Sequence, residues 1–202
     1  MPIEMEREFA VEGEALTLRE QITMLGDHPV SVMWGHHPTF GGDLLDGPFE
    51  IGTLAHRVLV DDRFDTPLNP LRPGARGDWP IVPGKSGSYD LNRPQEPMAA
   101  MVYLTEFERP SAWIRRLDNN IAAILSWDGS VFPCAWLWCE LGATQDPPWS
   151  GKARLIGIEP NTTWPANGLL EAHRRGAPLL MLRPQEKVEA WVRLEVTRPA
   201  AP

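Results

Sequence analysis

Ala15-Leu16-Thr17-Leu18-Arg19-Glu20-Gln21-Ile22-Thr23-Met24 puts Leu16, Leu18, Ile22 and Met24 on one side of an extended chain. Thr17, Arg19, Gln21 and Thr23 fall on the other side, with Glu20 the exception. Successive side chains of a strand point to opposite faces, so the alternation predicts a strand with one buried and one solvated face. Leu25-Gly26-Asp27-His28-Pro29 then supplies a turn and Val30 to Trp34 resumes an extended run, which reads as a hairpin. Outward from this stretch, further strands are expected at Glu6 to Val11, Arg57 to Val60, Met98 to Phe107, Ala112 to Leu117 and Ile121 to Trp127. Cys134 to Leu141, Arg154 to Glu159 and Val188 to Val196 complete the set. Asp118-Asn119-Asn120 and Asp128-Gly129 are turn signals between successive strands, as in an antiparallel meander. One short helix is expected over Gly168 to Arg175, with Asn167 as N-cap and Gly176 as stop. The fold class is all-β, an antiparallel β-sandwich. Seven prolines between Asp61 and Pro97 mark a long irregular connection, expected to cover one end of a site.

With 202 residues, 43% of them hydrophobic and 23% charged, the chain is read as one globular domain over 1–202. Nineteen basic against 27 acidic residues give a net charge of −8, so the positive surface that phosphate binding requires is missing and nucleic acid is excluded as a partner. Apolar runs such as Cys134 to Cys139 are far short of the ~20 residues that a membrane helix needs, so a membrane partner is excluded too. Glu4, Glu6 and Glu8 stand where a secretory signal would carry basic and apolar residues. Cys134 and Cys139, an odd spacing apart in one strand, point to opposite faces and read as reduced thiols. A cytoplasmic location is the expectation.

Three clusters carry chemistry-bearing side chains. Trp34-Gly35-His36-His37-Pro38-Thr39-Phe40 ends a strand with two imidazoles, a glycine that allows close backbone approach, and an indole. It suits a small polar ligand, or one histidine merely caps the strand and the other is solvated. Adjacent strand residues face opposite ways, which argues against a metal site there. Gly157-Ile158-Glu159-Pro160-Asn161-Thr162-Thr163-Trp164-Pro165 puts a carboxylate at the end of an apolar strand, where desolvation would raise its basicity. Glu159 is thus either a general base or a surface residue at a strand exit. In Trp136-Leu137-Trp138-Cys139-Glu140, Trp136, Trp138 and Glu140 share a face. Aromatic planes beside a carboxylate suit a sugar, and tryptophan is equally a core residue.

The ordered set is more specific than its parts. Leu25-Gly26-Asp27-His28-Pro29, Gly35-His36-His37-Pro38-Thr39-Phe40, Glu159 with Pro165, and Leu182-Arg183-Pro184-Gln185-Glu186 together resemble the aldose 1-epimerase (galactose mutarotase-like) family, in its uncharacterised bacterial branch. The resemblance maps the family's strand-end histidine onto His37, its later strand-end glutamate onto Glu159, and its final Leu-x-Pro-Gly-Glu motif onto Leu182, Pro184 and Glu186. It implies a sugar-binding sandwich that interconverts α and β anomers without a cofactor or metal. Glu159 would take the anomeric hydroxyl proton while His37 protonates the ring oxygen from the opposite side of the hemiacetal. Substrate contacts are expected from Trp34, His36, Trp138, Glu140 and Trp164, with Asp90 assigned by order to the family's middle aspartate.

Departures from the pattern leave the sugar open: His36 replaces Asn, Thr39 replaces Tyr, Ala166 follows Pro165 where the family has Asp, and Gln185 replaces Gly. The family also carries upstream strands with a sugar-binding Arg and His. Met1 stands shortly before the histidine motif, so either a truncated or naturally short version is expected or those residues come from elsewhere; a short version would leave a sheet edge unpaired, which invites homodimerisation. Two other readings are a carbohydrate-binding module without turnover and a metal-dependent isomerase using both histidines.

Overall fold

The alternation of Ala15–Met24 forms a strand over those same residues, and the computed structural model, which describes residues 2–197, places it second from one open edge of the main sheet. Met1 and residues 198–202 of the expected domain lie outside the described residues. In chain order the strands are β1 (Ile3–Glu12), β2 (Ala15–Met24), β3 (Val30–Val32), β4 (Thr39–Phe40), β5 (Phe49–Val60), β6 (Arg76–Asp78), β7 (Ile81–Pro83) and β8 (Ser88–Asp90). They continue as β9 (Met98–Arg116), β10 (Ala122–Trp127), β11 (Cys134–Leu141), β12 (Arg154–Asn161), β13 (Leu180–Leu182) and β14 (Lys187–Thr197). The helix α1 covers Leu169–Arg174, with Gly168 and not Asn167 at its N-cap.

Most strands join in one antiparallel sheet, β1-β2-β14-β10-β9-β5-β6-β7-β8, with β11 and β12 attached through β9. β9 makes two layers from one sheet. Its Ala112–Arg115 portion pairs with β10, while Met98–Leu104 pairs with β11. Between them Glu106 has φ +57, a conformation that L-residues seldom adopt, and β5 shifts register between Thr53 and Ala55. The sheet therefore bends over itself as a sandwich. Ile22, Ile51, Ile114, Leu125 and Trp127 meet Val102, Leu104, Leu137, Ile156 and Ile158 in the core, all of them buried.

Three expectations are corrected. β2 pairs with β1 and β14, whereas β3 pairs with β13, so Leu25–Pro29 is not a hairpin turn. β10 and β11 each pair with β9 and not with one another, so Asp128-Gly129 is a crossing between layers. The 61–97 segment is largely irregular but not wholly so: three short strands within it, β6, β7 and β8, extend the sheet beyond β5, on the side away from β12. Among the described residues, no helix is long and apolar enough to cross a membrane. Cys134 and Cys139 are both free and buried, and burial pushes the Cys139 thiol up to about 12.

Candidate active site

The odd-numbered positions of β11 (Ala135, Leu137, Cys139) face the core, so Trp136 and Trp138 stand on the opposite face with Glu159, Tyr103 and Leu59 beside them. The register is explicit: Glu159 lies opposite Trp136, Trp136 opposite Tyr103, and Tyr103 opposite Leu59. On the other side of β12, Gly35 bridges Asn161 and Thr39 pairs with Gly157. Two residues in from each of those pairs, His37 falls directly opposite Glu159. Cross-strand neighbours on one face lie within side-chain reach. His37 Nε2 accordingly stands 3.3 Å from Glu159 Oε1.

The two side chains occupy different environments. His37 is 59% exposed, whereas Glu159 keeps only 5% of its side chain accessible. Glu159 Oε1 is shielded and lacks a hydrogen bond. Burial without donors disfavours the anion. Desolvation raises the Glu159 carboxyl to about 7, partly opposed by the charge of His37. Gly157 is what admits the carboxylate, since a Cβ there would lie 2.7 Å from Glu159 Oε1. On the imidazole, Nδ1 is 2.9 Å from Thr39 Oγ1, and that hydroxyl donates to the His37 carbonyl at 3.4 Å. The hydroxyl lone pair thus faces Nδ1, which donates to it, and Nε2 is left as the position that exchanges a proton.

Trp138 belongs to the site: its ring meets His37 edge-on at 5.9 Å. Trp149, in the loop after β11, meets Trp138 at 5.8 Å. No spacing in the sequence marked Trp149. The imidazole and the carboxylate stand side by side on one face and do not confront each other across a cleft.

Other expected site residues lie elsewhere. His36, one residue from His37, points through the sheet to Glu20, with Nε2 2.9 Å from Glu20 Oε2, and Arg7 pairs with the other oxygen of that buried carboxylate. Burial is the largest single influence on the Glu20 carboxyl and pushes it up, but His36 and Arg7 together outweigh it and hold the group below its usual value. Trp34 is buried, packs edge-on against Phe132, and its backbone N–H donates to Thr162 Oγ1. Glu140 is buried and accepts from the backbone of Ala143 and Thr144, which holds the loop after β11. Asp90 is an exposed turn residue of β8 that accepts from the Asn92 backbone. Trp164 stacks on Tyr103 at 6.3 Å, one strand beyond Trp136, where Leu59, Arg76 and Arg175 complete a separate hollow of about 210 Å³. Tyr103 was missed by the sequence reading; its hydroxyl donates to Asp61 and accepts from the Ala166 backbone, and burial together with Asp61 raises it. No group of three or more metal-ligating side chains occurs among the described residues.

Solved structures share the fold of this chain. The chain superimposes on a candidate aldose 1-epimerase from Escherichia coli K12 with a TM-score of 0.69 at 20% identity, covering 97% of this chain and 60% of that one. The chain has the galactose mutarotase-like fold. A galactose mutarotase-like protein from Clostridium acetobutylicum matches with a TM-score of 0.65 at 12% identity over 97% of this chain and 56% of the other. A galactose mutarotase related enzyme from Lactobacillus acidophilus gives 0.59 at 15%, over 96% and 61%. The chain thus spans less than two thirds of the length of these proteins. No family model and no curated protein sequence matches it.

Proposed function

We propose that this chain interconverts the α and β anomers of an aldose by general acid/base catalysis. The reading is carried by the contact between His37 Nε2 and Glu159 Oε1, 3.3 Å, at a carboxyl whose burial brings it to about 7. A base poised near the working pH combines adequate ionisation with adequate basicity. In the ionised pair, His37 holds a proton at Nε2 and Glu159 is the anion. The anomeric oxygen and the ring oxygen are bonded to the same carbon, so an acid and a base standing side by side can serve both. Glu159 removes the proton from the anomeric hydroxyl, the C1–O bond to the ring oxygen breaks as C1 becomes a carbonyl, and His37 delivers its proton to that oxygen. Rotation about C1–C2 presents the other carbonyl face. The reverse transfers close the ring and return both protons. Trp138 offers an aromatic face for sugar C–H groups.

The galactose mutarotase-like fold supports this reading, and the names of the superimposed proteins agree with it. Polarimetry on freshly dissolved α-glucose, α-galactose and other single anomers provides the test. Faster decay of optical rotation for at least one sugar is expected. Rates equal to the buffer rate for the whole panel, with sugar binding retained, would instead favour the non-catalytic binding module.

A further inference from the structure

β1 is an edge strand: it pairs with β2 on one side and with nothing among the described residues on the other. Alternate residues of this ten-residue strand therefore turn unpaired backbone N–H and C=O groups outward along one line. Its two faces differ in chemistry. Glu4, Glu6, Glu8 and Glu12 share one face with Ala10, while Ile3, Met5, Phe9 and Val11 lie on the other, where Arg7 in the middle is drawn onto the buried Glu20.

The apolar face overhangs the sandwich. Along one row, Leu125 is buried under the second layer, its partner Leu194 is partly covered, and Leu16 and Val11 beyond are open. Phe9 and Val11, at the end of the overhang, are 65% and 74% exposed. On the acidic face, Glu189 and Asp128 add negative charge across β14 and outnumber Arg19, which stands opposite Glu8, beside a groove of about 530 Å³.

A second copy is a poor occupant of this edge. In an antiparallel two-fold pairing of β1 with itself, each face meets its own kind, so even positions oppose even positions. Every register that engages the middle of the strand then sets one glutamate directly against another: Glu6 against Glu8, Glu8 against itself, or Glu4 against Glu12. Like charges directly opposed across strands are destabilising. The homodimer expected from an open edge is thus disfavoured by the residues that form it.

From the unpaired backbone, the acidic face and the apolar overhang together, we infer that β1 is a docking edge for an extended segment of another protein that alternates basic with apolar residues. The segment adds to the sheet as an antiparallel strand. Its Lys or Arg side chains lie against Glu4, Glu6, Glu8 and Glu12, and its apolar side chains cover Phe9 and Val11. The net charge of −8 favours the same partner at longer range.

Two fluorescein-labelled decapeptides, one alternating Lys with Val and one alternating Glu with Val, test this against the full chain by fluorescence anisotropy. The basic peptide is expected to bind at least tenfold more tightly, to weaken as salt is raised, and to protect the amides of residues 3–12 from hydrogen exchange. In the double variant Glu6→Lys, Glu8→Lys, with its melting temperature checked against the parent, the preference is expected to reverse. Equal affinity for both peptides, no binding at millimolar peptide, or protection confined to other strands would overturn the inference. So would a concentration-dependent dimer whose formation protects residues 3–12, because the edge would then belong to a second copy.

Discussion

Replacing Glu159 by Gln removes a charge that the fold holds at a disadvantage, and the size of that disadvantage can be worked out. An unfolded glutamate titrates near 4.5, whereas in the fold desolvation holds Glu159 at about 7. Between those values the native state binds more protons than the unfolded state, so stability falls as pH rises and levels off above the folded value. At about 1.36 kcal/mol per pH unit, ionised Glu159 withholds roughly 3 kcal/mol from the folded state at pH 8. Gln has a similar shape and no proton to lose. The Glu159→Gln variant should therefore match the parent closely near pH 4 and exceed it by about 3 kcal/mol at pH 8, or roughly 6–12 °C in Tm for a domain of this size. Thermal and urea unfolding of both proteins at half-unit steps from pH 4 to 8 measures the difference, with the titrations of groups remote from residue 159 cancelling. A difference that stays constant across the range would refute the desolvated carboxylate, and with it the poised base.

Other substitutions separate placement from folding. Gly157→Ala brings a Cβ to 2.7 Å from Glu159 Oε1, the mobile end of a side chain, so the carboxylate moves and the backbone stays. Anomerisation should fall by about tenfold or more while stability changes by less than ~1 kcal/mol, as read by kinetics and melting in parallel. Thr39→Val removes the acceptor for His37 Nδ1 and should shift the pH–rate profile as well as the rate, whereas Thr39→Ser should restore both. His36→Gln should lower stability by about 1–3 kcal/mol through the buried Glu20 and leave KM for the sugar unchanged. A raised KM without a stability loss would return His36 to the sugar site.

The strand bounds of β2 and β11 are legible because the first alternates apart from Glu20, the second is a short apolar run, and each stops just before a turn signal, at Gly26 and Gly142; Met98–Arg116 is not because the bend hides its continuity. That strand reads as two, Met98 to Phe107 and Ala112 to Leu117, since Glu106 to Pro110 breaks the alternation at the point where the chain passes from one layer to the other. The His36-His37 pair shows the limit for the site. Composition singles out both imidazoles, but only the pairing of Gly35 with Asn161 and of Thr39 with Gly157 decides which one faces Glu159. Glu140 and Asp90 were named for their carboxylates, yet backbone N–H groups a few residues on had already claimed them. Trp149 reaches the site from a loop whose path no periodicity encodes.

Exchange between α and β resonances of a sugar, followed by two-dimensional NMR with equal amounts of the parent and of Glu159→Gln, tests the paired imidazole and carboxylate most directly. Accelerated exchange with the parent and a loss of about 100-fold or more in the variant is the expected result. A variant as fast as the parent would contradict it.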